Sequence, residues 1–399
     1  LMSYEYVENF KKLTFGMFNH FGLYSILGKG EWAERNLNID KLYYEGLTDK
    51  FRVKEDWAKK LVKTAKASGC RYITLTTRHH DGFSLYDTQG LSRFDAPHSA
   101  SGRDLVAEFV SECNAAGVVP FFYHTLLDWH NEDYKNDFKA YIDYLVKSVE
   151  TLSKNYGKIG GFWFDGMWDK WDANWQEERL YATIRKYQPE AMIINNTGLS
   201  KNGELGNIEL DSVTFERGKP FKANSPARPV AGEVCDSLND HWGFAKNDIS
   251  LKTPDYIIST LIDCKKNGCN YLLNTGLKGN GYNPEADKFV FESVGKWIKA
   301  NKNFIYDVKK ADYDAENADL FTDGDYLYAV IKDTAILADA DVIRESTGKL
   351  VKLDGVKIDK AVWLDTNKPV KLSNDRSFDA EPFSYGTNLY ARVAKIKLK

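Results

Sequence analysis

Residues 56–82 read DWAKKLVKTAKASGCRYITLTTRHHDG, and this stretch decides the fold class. Apolar side chains recur at helical spacing in its first part, which predicts a helix capped by Asp56 and ending at Ala67. Gly69 then stops the helix, and the β-branched run at residues 72–77 is typical of a strand buried on both faces. A helix followed at once by a buried strand is the repeating unit of parallel α/β folds.

The same unit recurs through the first 300 residues. Strands are predicted at residues 15–20, 72–77, 118–123, 161–165, 192–195, 212–215, 230–234 and 270–273, and helices at 56–67, 104–116, 135–154, 175–187, 254–266 and 285–300. Eight strands with crossover helices over this length favour a (β/α)₈ TIM-like barrel over an open doubly wound sheet. No helix is evident around the fifth and sixth strands, so we expect the barrel to be irregular there.

Beyond residue 300 the pattern changes to short strands separated by Gly, Asn and Asp turns. These strands are predicted at residues 327–331, 340–343 and 391–396, which is typical of a small antiparallel β-sandwich. We therefore predict two domains, a catalytic barrel at residues 1–300 and a C-terminal β-sandwich at residues 301–399.

The composition is that of a globular protein, with 43% hydrophobic and 28% charged residues. The 54 basic and 57 acidic residues leave a net charge of −3, which argues against nucleic acid and anionic membrane surfaces as partners. No apolar run approaches the roughly 18 residues of a membrane-spanning helix. Ten Trp, 23 Tyr and 22 Phe are an unusual richness in aromatic rings, which stack on the C–H faces of sugars. A carbohydrate site is therefore an early hypothesis.

The cysteines and the first residues of the sequence are evidence on the cellular compartment of the protein. The five cysteines lack CxxC spacing and lie mostly in apolar runs, so we interpret them as small buried side chains rather than metal or redox ligands. The start LMSYE has no charged segment followed by an apolar one. We expect a cytoplasmic protein without disulfides, with a secreted protein that has lost its signal peptide as the alternative.

Polar side chains gather where the predicted strands end, which is where barrel enzymes carry their chemistry. The candidates are His20 after the first strand, His79, His80 and Asp81 after the second, Tyr123, His124, Asp128 and His130 after the third, Asp165 after the fourth, Glu216 after the sixth, and Glu233 and Asp236 after the seventh. Five of the seven histidines fall on this rim. Neutral histidines that hydrogen-bond sugar hydroxyls explain such a cluster better than scattered structural roles.

A metal pair made of His79 and His80 is the alternative interpretation of these histidines. Neighbours on a strand point to opposite faces, and the spaced motifs HxH and HExxH are missing from the sequence. We therefore expect sugar contacts and no metal at this position.

Three tryptophans and one carboxylate are further candidates. Trp32, Trp163 and Trp242 lie next to polar or acidic residues, which favours a platform for a sugar over a plain core position. Asp165 follows the aromatic run at residues 162–164 and has no salt-bridge partner nearby in sequence. A catalytic carboxylate is the favoured interpretation of Asp165, and a structural ion pair is the alternative.

Several motifs, in order, give the sequence a specific resemblance. They are FGMFNHFGLYS at residues 15–25, GEW at 30–32, HHDGF at 79–83 with Tyr86 and Asp87, LDWH at 127–130, WFDG at 163–166 and NDHWG at 239–243. Together they resemble glycoside hydrolase family 29, the α-L-fucosidases, over about residues 10–300. The resemblance implies an irregular (β/α)₈ barrel with a C-terminal β-sandwich. It also implies hydrolysis of terminal α-L-fucosyl bonds with retention, without metal or organic cofactor, on a fucosylated oligosaccharide or glycoconjugate.

The same resemblance implies roles for individual residues. Asp165 is the expected nucleophile, and the residues expected to contact the fucose are His20, Glu31, Trp32, His79, His80, Tyr123 and Trp163. One segment departs from the commonest pattern, because many relatives carry an arginine where this chain reads NNTG at residues 195–198. Arg217 is one candidate to replace it.

Four carboxylates compete for the role of general acid and base. Glu209 and Asp211 lie where the sixth strand enters the barrel, which is the end that contributes to stability. Glu216 lies at the exit of that strand, before Gly218 and a proline that permit a sharp turn. We predict Glu216 as the acid/base, with Glu233 as the second candidate in a segment that also suits a buried structural carboxylate.

Two other functions fit parts of the sequence. One is a catalytically inactive, lectin-like barrel that binds fucosylated glycans, and the other is a metal-dependent hydrolase that uses His79 and His80. The segment at residues 214–218 differs from that of relatives restricted to branched glycans, so we predict an enzyme that accepts simple aryl fucosides.

Overall fold

The computed structural model describes residues 3–197, 205–220, 227–334 and 349–399. Eight parallel strands form a closed barrel in chain order. They are β1 (Phe15–Asn19), β2 (Tyr72–Arg78), β3 (Val119–Thr125), β4 (Gly161–Asp165), β5 (Met192–Asn195), β6 (Ser212–Glu216), β7 (Ala231–Ser237) and β8 (Cys269–Asn274). This confirms the predicted TIM-like barrel.

Nearly every residue in these strands is buried and most are apolar, as strands covered on both faces require. Their register sets the height of each side chain in the barrel. Tyr123 pairs with Trp163, and Thr125 pairs with Asp165, so β3 and β4 end at the same level. The carboxyl ends of the strands therefore bring their polar residues to one rim.

Helices connect the strands as expected, with several additions. They are α1 (Glu5–Leu13), α2 (Tyr24–Leu27), α3 (Ala33–Asn36), α4 (Lys41–Glu45), α5 (Trp57–Ala67), α6 (Leu105–Ala116), α7 (Asp133–Asn136), α8 (Phe138–Asn155), α9 (Glu177–Tyr187), α10 (Pro254–Lys266) and α11 (Glu285–Ala300). The sequence did not predict α1 or the short helices α2–α4 between β1 and β2.

Two predicted features of these helices are wrong. The helix expected at residues 135–154 is interrupted at Asp137, whose backbone is non-helical (φ −148°) and whose carboxylate accepts the backbone N–H of Ala140 as a cap. Asp56 precedes α5 without capping it, because its side chain accepts the hydroxyl of Tyr282 instead.

The irregular part of the barrel lies where the sequence predicted it. Between β5 and β6, and between β6 and β7, the residues that the structure describes contain no helix. The pairing of β5 with β6 is also minimal, with Ile194 opposite Ser212 as its one register pair.

The C-terminal part is an antiparallel β-sandwich, as predicted. Its strands are β9 (Lys309–Lys310), β10 (Ala315–Glu316), β11 (Asp319–Thr322), β12 (Leu327–Ile331), β13 (Leu350–Leu353), β14 (Ile358–Trp363), β15 (Leu372–Asn374), β16 (Ser377–Asp379) and β17 (Arg392–Leu398). Four strands form one sheet and five the other, and residues such as Ile331, Val351, Trp363 and Phe378 share one apolar core. The strand predicted at residues 340–343 lies outside the described residues.

The chain divides into two compact units, Leu1–Lys252 with Cys269–Glu292, and Thr253–Gly268 with Ser293–Lys399. All eight barrel strands belong to the first unit. The domain limit at residue 300 stays a prediction. None of the helices in the described ranges has the length and apolar character needed to cross a membrane.

Candidate active site

A cavity of about 200 Å³ lies at the carboxyl ends of the barrel strands. Its lining consists of Phe18, His20, Glu31, Trp32, His79, His80, Tyr123, Trp163, Asp165, Trp168, Glu216 and Trp242. The two predicted catalytic carboxylates and the eight residues predicted to contact or support the sugar are all in this lining, and Phe18 and Trp168 were missed. The structure thus brings the predicted site together, while the role of each residue stays a prediction.

The alternation of side chains along β4 places the predicted nucleophile in the cavity. Trp163 and Asp165 are two residues apart, so both point inward, while Phe164 between them packs outward. Gly166 follows with φ 99°, and a Cβ there would lie 2.9 Å from a side-chain carbon of Leu127. Only glycine therefore fits the turn that leaves the Asp165 carboxylate at the rim.

Two hydrogen bonds orient the carboxylate of Asp165. Tyr123 Oη donates to Oδ2 at 2.9 Å, and Asn196 Nδ2 donates to Oδ1 at 3.4 Å. Burial raises the pKa of Asp165 to about 6, although both hydrogen bonds lower it. Neither arginine nor lysine, among the residues described, forms an ion pair with it, which removes the alternative of a structural ion pair with one of these cations.

Asn196 occupies the segment where many relatives carry an arginine. Thr214 Oγ1 donates to Asn196 Oδ1 at 2.9 Å, which turns the amide nitrogen toward Asp165. Arg217 does not take this place, since its guanidinium lies 5.0 Å from the ring centroid of Trp242 and donates to the carbonyl of Asp240. The donor from this segment to the predicted nucleophile is thus a neutral amide.

Glu216 ends β6 on the same cavity, partly exposed. Burial is the largest cause that raises the pKa of Glu216 to about 7, and the charge of Asp165 raises it further. The guanidinium of Arg217 lowers it. The two carboxyl groups therefore differ in proton affinity, with Asp165 losing its proton first.

The two pKa values predict a narrow bell-shaped pH profile. If Asp165 is the nucleophile it must be ionised, so activity should fall as the pH drops through about 6. If Glu216 is the general acid it must be protonated, so activity should fall as the pH rises through about 7. The measurement is kcat/KM for methyl α-L-fucoside against pH, because its alcohol leaving group needs a proton. A flat alkaline side would contradict the assignment of Glu216.

The side chains of His79 and His80 lie together, which the sequence argument excluded. β2 ends at Arg78, so both histidines are beyond the strand and the rule of alternating faces does not apply to them. Their ring centroids are 4.1 Å apart and both rings line the cavity. The expectation that neighbouring histidines point to opposite faces is therefore wrong here.

Hydrogen bonds fix which nitrogen of His20 is protonated. Asn274 Nδ2 donates to the carbonyl of Trp242 at 2.7 Å, so its Oδ1 faces His20 Nδ1 at 2.8 Å and accepts from it. Burial lowers the pKa of His20 to about 3, so the ring is neutral. Its Nε2 is then left as an acceptor for a hydroxyl in the cavity. Asn274 acts from β8 on a residue 254 positions away, so local sequence could not predict its contact with His20.

Two other histidines predicted on the rim do not line the cavity. His124 points outward from β3, since Tyr123 points inward, and its Nε2 is 3.1 Å from the hydroxyl of Tyr86. His130 stacks on Phe94 and contacts Glu45 at 2.5 Å. Three of the five histidines on the predicted rim, not all five, can thus contact a ligand in this cavity.

Aromatic rings form the floor and the mouth of the cavity. Tyr123 lies between Trp163, at 5.7 Å and 18°, and His79, at 5.3 Å and 10°. At the mouth, Trp168 stacks on Trp32 at 5.9 Å. Trp168 was missed because it follows β4 by three residues, although its place just after an Asp-Gly turn was a usable signal.

The other candidates for the acid/base lie outside the cavity lining. Glu209 is exposed, and Asp211 is a buried ion-pair partner of Arg185 and Arg228 at 2.6 and 3.0 Å. Glu233 is fully buried in the barrel. Glu216 is thus the one of these four carboxylates that faces the cavity.

One group of side chains in the described part of the chain could hold a metal ion. His79, His80 and Asp165 each offer an atom within 4.8 Å of the others. One nitrogen of His80 is already engaged, since Nδ1 lies 2.8 Å from Thr125 Oγ1. A cation here would bind the carboxylate of Asp165, so it would compete with any nucleophilic role of that group.

Comparisons with known proteins agree on one family. The α-L-fucosidase family model matches residues 1–303. The tissue α-L-fucosidase of Bos taurus is 25% identical over 390 residues, covering 86% of this chain and 79% of that protein. The structure of α-L-fucosidase isoenzyme 1 from Paenibacillus thiaminolyticus superposes with a TM-score of 0.82 at 28% identity, covering 99% of both chains.

A third relative shares the fold at lower identity. It is the α-L-fucosidase GH29 of Bacteroides thetaiotaomicron, solved as a trapped covalent intermediate with 2-fluoro-fucosyl fluoride. Its TM-score is 0.81 at 22% identity, covering 99% of this chain and 96% of that one. The family match confirms the resemblance identified in the sequence motifs. The chain belongs to the α-L-fucosidase family of glycoside hydrolases.

Proposed function

We propose that this protein removes terminal α-L-fucosyl groups from fucosylated glycans by double displacement, with Asp165 as nucleophile and Glu216 as general acid and base. The observation that carries the proposal is one cavity holding two carboxyl groups of different proton affinity, with pKa values of about 6 and 7. Two carboxyl groups whose environments separate their pKa values supply a nucleophile and an acid at the same pH.

In the first step, an oxygen of Asp165 attacks the anomeric carbon of the fucosyl group. The bond to the leaving oxygen breaks, and Glu216 donates its proton to that oxygen. The hydroxyl of Tyr123 keeps the attacking carboxylate in place, and the acceptor Nε2 of His20 receives a hydroxyl of the sugar. The product is a fucosyl ester of Asp165 and a free alcohol.

In the second step, Glu216 removes a proton from water, which attacks the same carbon. The ester bond breaks, Asp165 returns as a carboxylate, and Glu216 is protonated again. Two displacements at one carbon give fucose of the original configuration. Asp165 remains largely ionised near neutral pH, as attack requires, since its pKa of about 6 is below that of Glu216.

Release of nitrophenol from its α-L-fucoside tests the proposal against an inactive sugar-binding barrel. The wild-type protein should turn over this substrate, because an aryl leaving group needs little protonation. Binding of fucose without any turnover would support the lectin-like alternative. Cleavage of branched fucosylated glycans without cleavage of the aryl fucoside would refute the predicted acceptance of simple substrates.

Chelation tests the alternative of a metal-dependent hydrolase. Activity should persist after exhaustive dialysis against a chelator, because nucleophile, acid and hydroxyl contacts are all supplied by side chains. Added Zn²⁺ should inhibit, since it would bind His79, His80 and the carboxylate of Asp165. Loss of activity on chelation, restored by a stoichiometric metal ion, would favour the metal-dependent reaction.

A further inference from the structure

We propose that Glu233 is a positioning residue of this reaction, which fixes the indole of Trp163 and, through a stack of rings, holds the hydroxyl of Tyr123 on Asp165. This inference rests on the proposed function, because it gives Glu233 a part in the chemistry of the same cavity. It differs from the sequence-based alternative in which Glu233 is itself the acid/base.

Glu233 lies in the middle of β7 with 1% of its surface exposed. Ala231 and Cys235, two positions away on either side, belong to the apolar cluster inside the barrel, so Glu233 shares their inward face. Its Oε1 accepts from Trp163 Nε1 at 2.8 Å, and its Oε2 accepts from Tyr72 Oη at 2.7 Å. Each carboxylate oxygen therefore accepts a hydrogen bond from an aromatic side chain.

A structural ion pair does not explain a carboxyl group at this position. In the described residues, no lysine, arginine or histidine is paired with Glu233, and burial raises its pKa to about 7. What an apolar side chain could not supply is an acceptor at a defined position for the indole N–H of Trp163.

Trp163 connects this acceptor to the predicted nucleophile. Its indole is one end of the stack in which Tyr123 is the middle ring and His79 the other end. The hydroxyl of that middle ring donates to Asp165 Oδ2 at 2.9 Å. Interiors are closely packed, so a tilt of the indole displaces the ring stacked on it. Losing the acceptor on Glu233 should thus weaken the hydrogen bond between Tyr123 and Asp165.

Three variants of Glu233 and one matched control test this. Glu233→Leu removes the acceptor, and Glu233→Asp withdraws it by one methylene while keeping the charge. Glu233→Gln keeps a carbonyl oxygen for Trp163 and offers an N–H to the hydroxyl oxygen of Tyr72. Tyr72→Phe, the control, removes the other hydrogen bond of the same carboxylate and leaves the one to Trp163 intact.

The readouts separate positioning from general stability. We expect Glu233→Leu and Glu233→Asp to lower kcat/KM for the aryl fucoside by up to about 100-fold, the cost of a small misplacement. The acidic limb of the pH profile of these two variants should move to higher pH by about one unit. The hydrogen bond from Tyr123 lowers the pKa of Asp165, so weakening that bond should raise this pKa. Glu233→Gln and Tyr72→Phe should keep the wild-type limb and activity within a few-fold.

Outcomes for Glu233 and for the proposed function are distinguishable. An unmoved acidic limb in Glu233→Asp would overturn the positioning role. So would azide rescue of Glu233→Gln, which would instead make Glu233 the acid/base.

If the wild type has no turnover, the proposed function fails. The contact between Glu233 and Trp163 is then tested by NMR. The indole ¹H–¹⁵N signal of Trp163 is identified by its absence from the spectrum of Trp163→Phe. This signal should shift in Glu233→Leu and Glu233→Asp and should not shift in Tyr72→Phe.

Discussion

Asp165→Gly is expected to lower kcat by at least about a thousandfold and to leave the protein folded. The covalent step is lost, and losing a nucleophile costs far more than losing a positioning contact. The fold should persist because Asp165 is at the end of β4 with 17% of its side chain exposed. The measurements are kcat for the aryl fucoside and the thermal midpoint. Asp172→Gly, which removes an exposed carboxylate of the same loop, is the matched control and should keep activity.

Azide sharpens this prediction. The anion can occupy the space left by the carboxylate and attack the anomeric carbon from that side, so added azide should restore part of the turnover of Asp165→Gly. The sugar azide formed should have the opposite configuration to the substrate, because only one displacement occurs. If Asp165→Gly kept more than about a tenth of the wild-type kcat, the substitution would raise the activation barrier by less than about 1.4 kcal/mol, and the assignment of Asp165 as nucleophile would be wrong.

Glu216→Ala is expected to separate substrates by their leaving group. Natural fucosides, whose alcohol needs a proton, should lose nearly all activity, by the 10²–10⁴-fold or so typical of general acid catalysis. Formation of the fucosyl ester from an activated aryl fucoside should be largely spared. The measurement is kcat/KM for an aryl and an alkyl fucoside side by side. Glu209→Ala, an exposed carboxylate shortly before β6, is the control and should affect neither.

Azide also distinguishes Glu216 from Glu233. In Glu216→Ala it should speed the second step and give a fucosyl azide of retained configuration, because it attacks the ester from the side of the missing base. Equal loss of aryl and natural substrates in Glu216→Ala, with the leaving-group split appearing in Glu233→Ala instead, would transfer the role to Glu233.

The barrel and most of its site were predictable because both depend on local pattern. In residues 57–78, the helical spacing of apolar side chains and the β-branched run that follows indicate which side chains are buried. Catalytic side chains in this fold follow strand ends, so Asp165 and Glu216 could be predicted to line the cavity once their strands were placed. The motif around His79 added the family and therefore the chemistry.

The rest depended on contacts between residues distant in sequence. Asn274 sets the tautomer of His20 from 254 positions away, and Glu233 reaches Trp163 across the barrel. Asn196 could not be recognised as the neighbour of Asp165, because an asparagine carries no charge to predict the pairing. The error over His79 and His80 had a different cause, since it came from extending strand alternation two residues past the end of β2 at Arg78.

Labelling with 2-fluoro-fucosyl fluoride tests the central claim most directly, since the fluorine slows breakdown of the fucosyl ester. Intact mass should rise by one fluorofucosyl group as activity is lost, and peptide mapping should place that group on Asp165. Glu216→Gln, in which ester breakdown lacks its base, should accumulate the same adduct, and Asp165→Gly should not be labelled. A label on another carboxylate, or inactivation without any covalent adduct, would contradict Asp165 as the nucleophile.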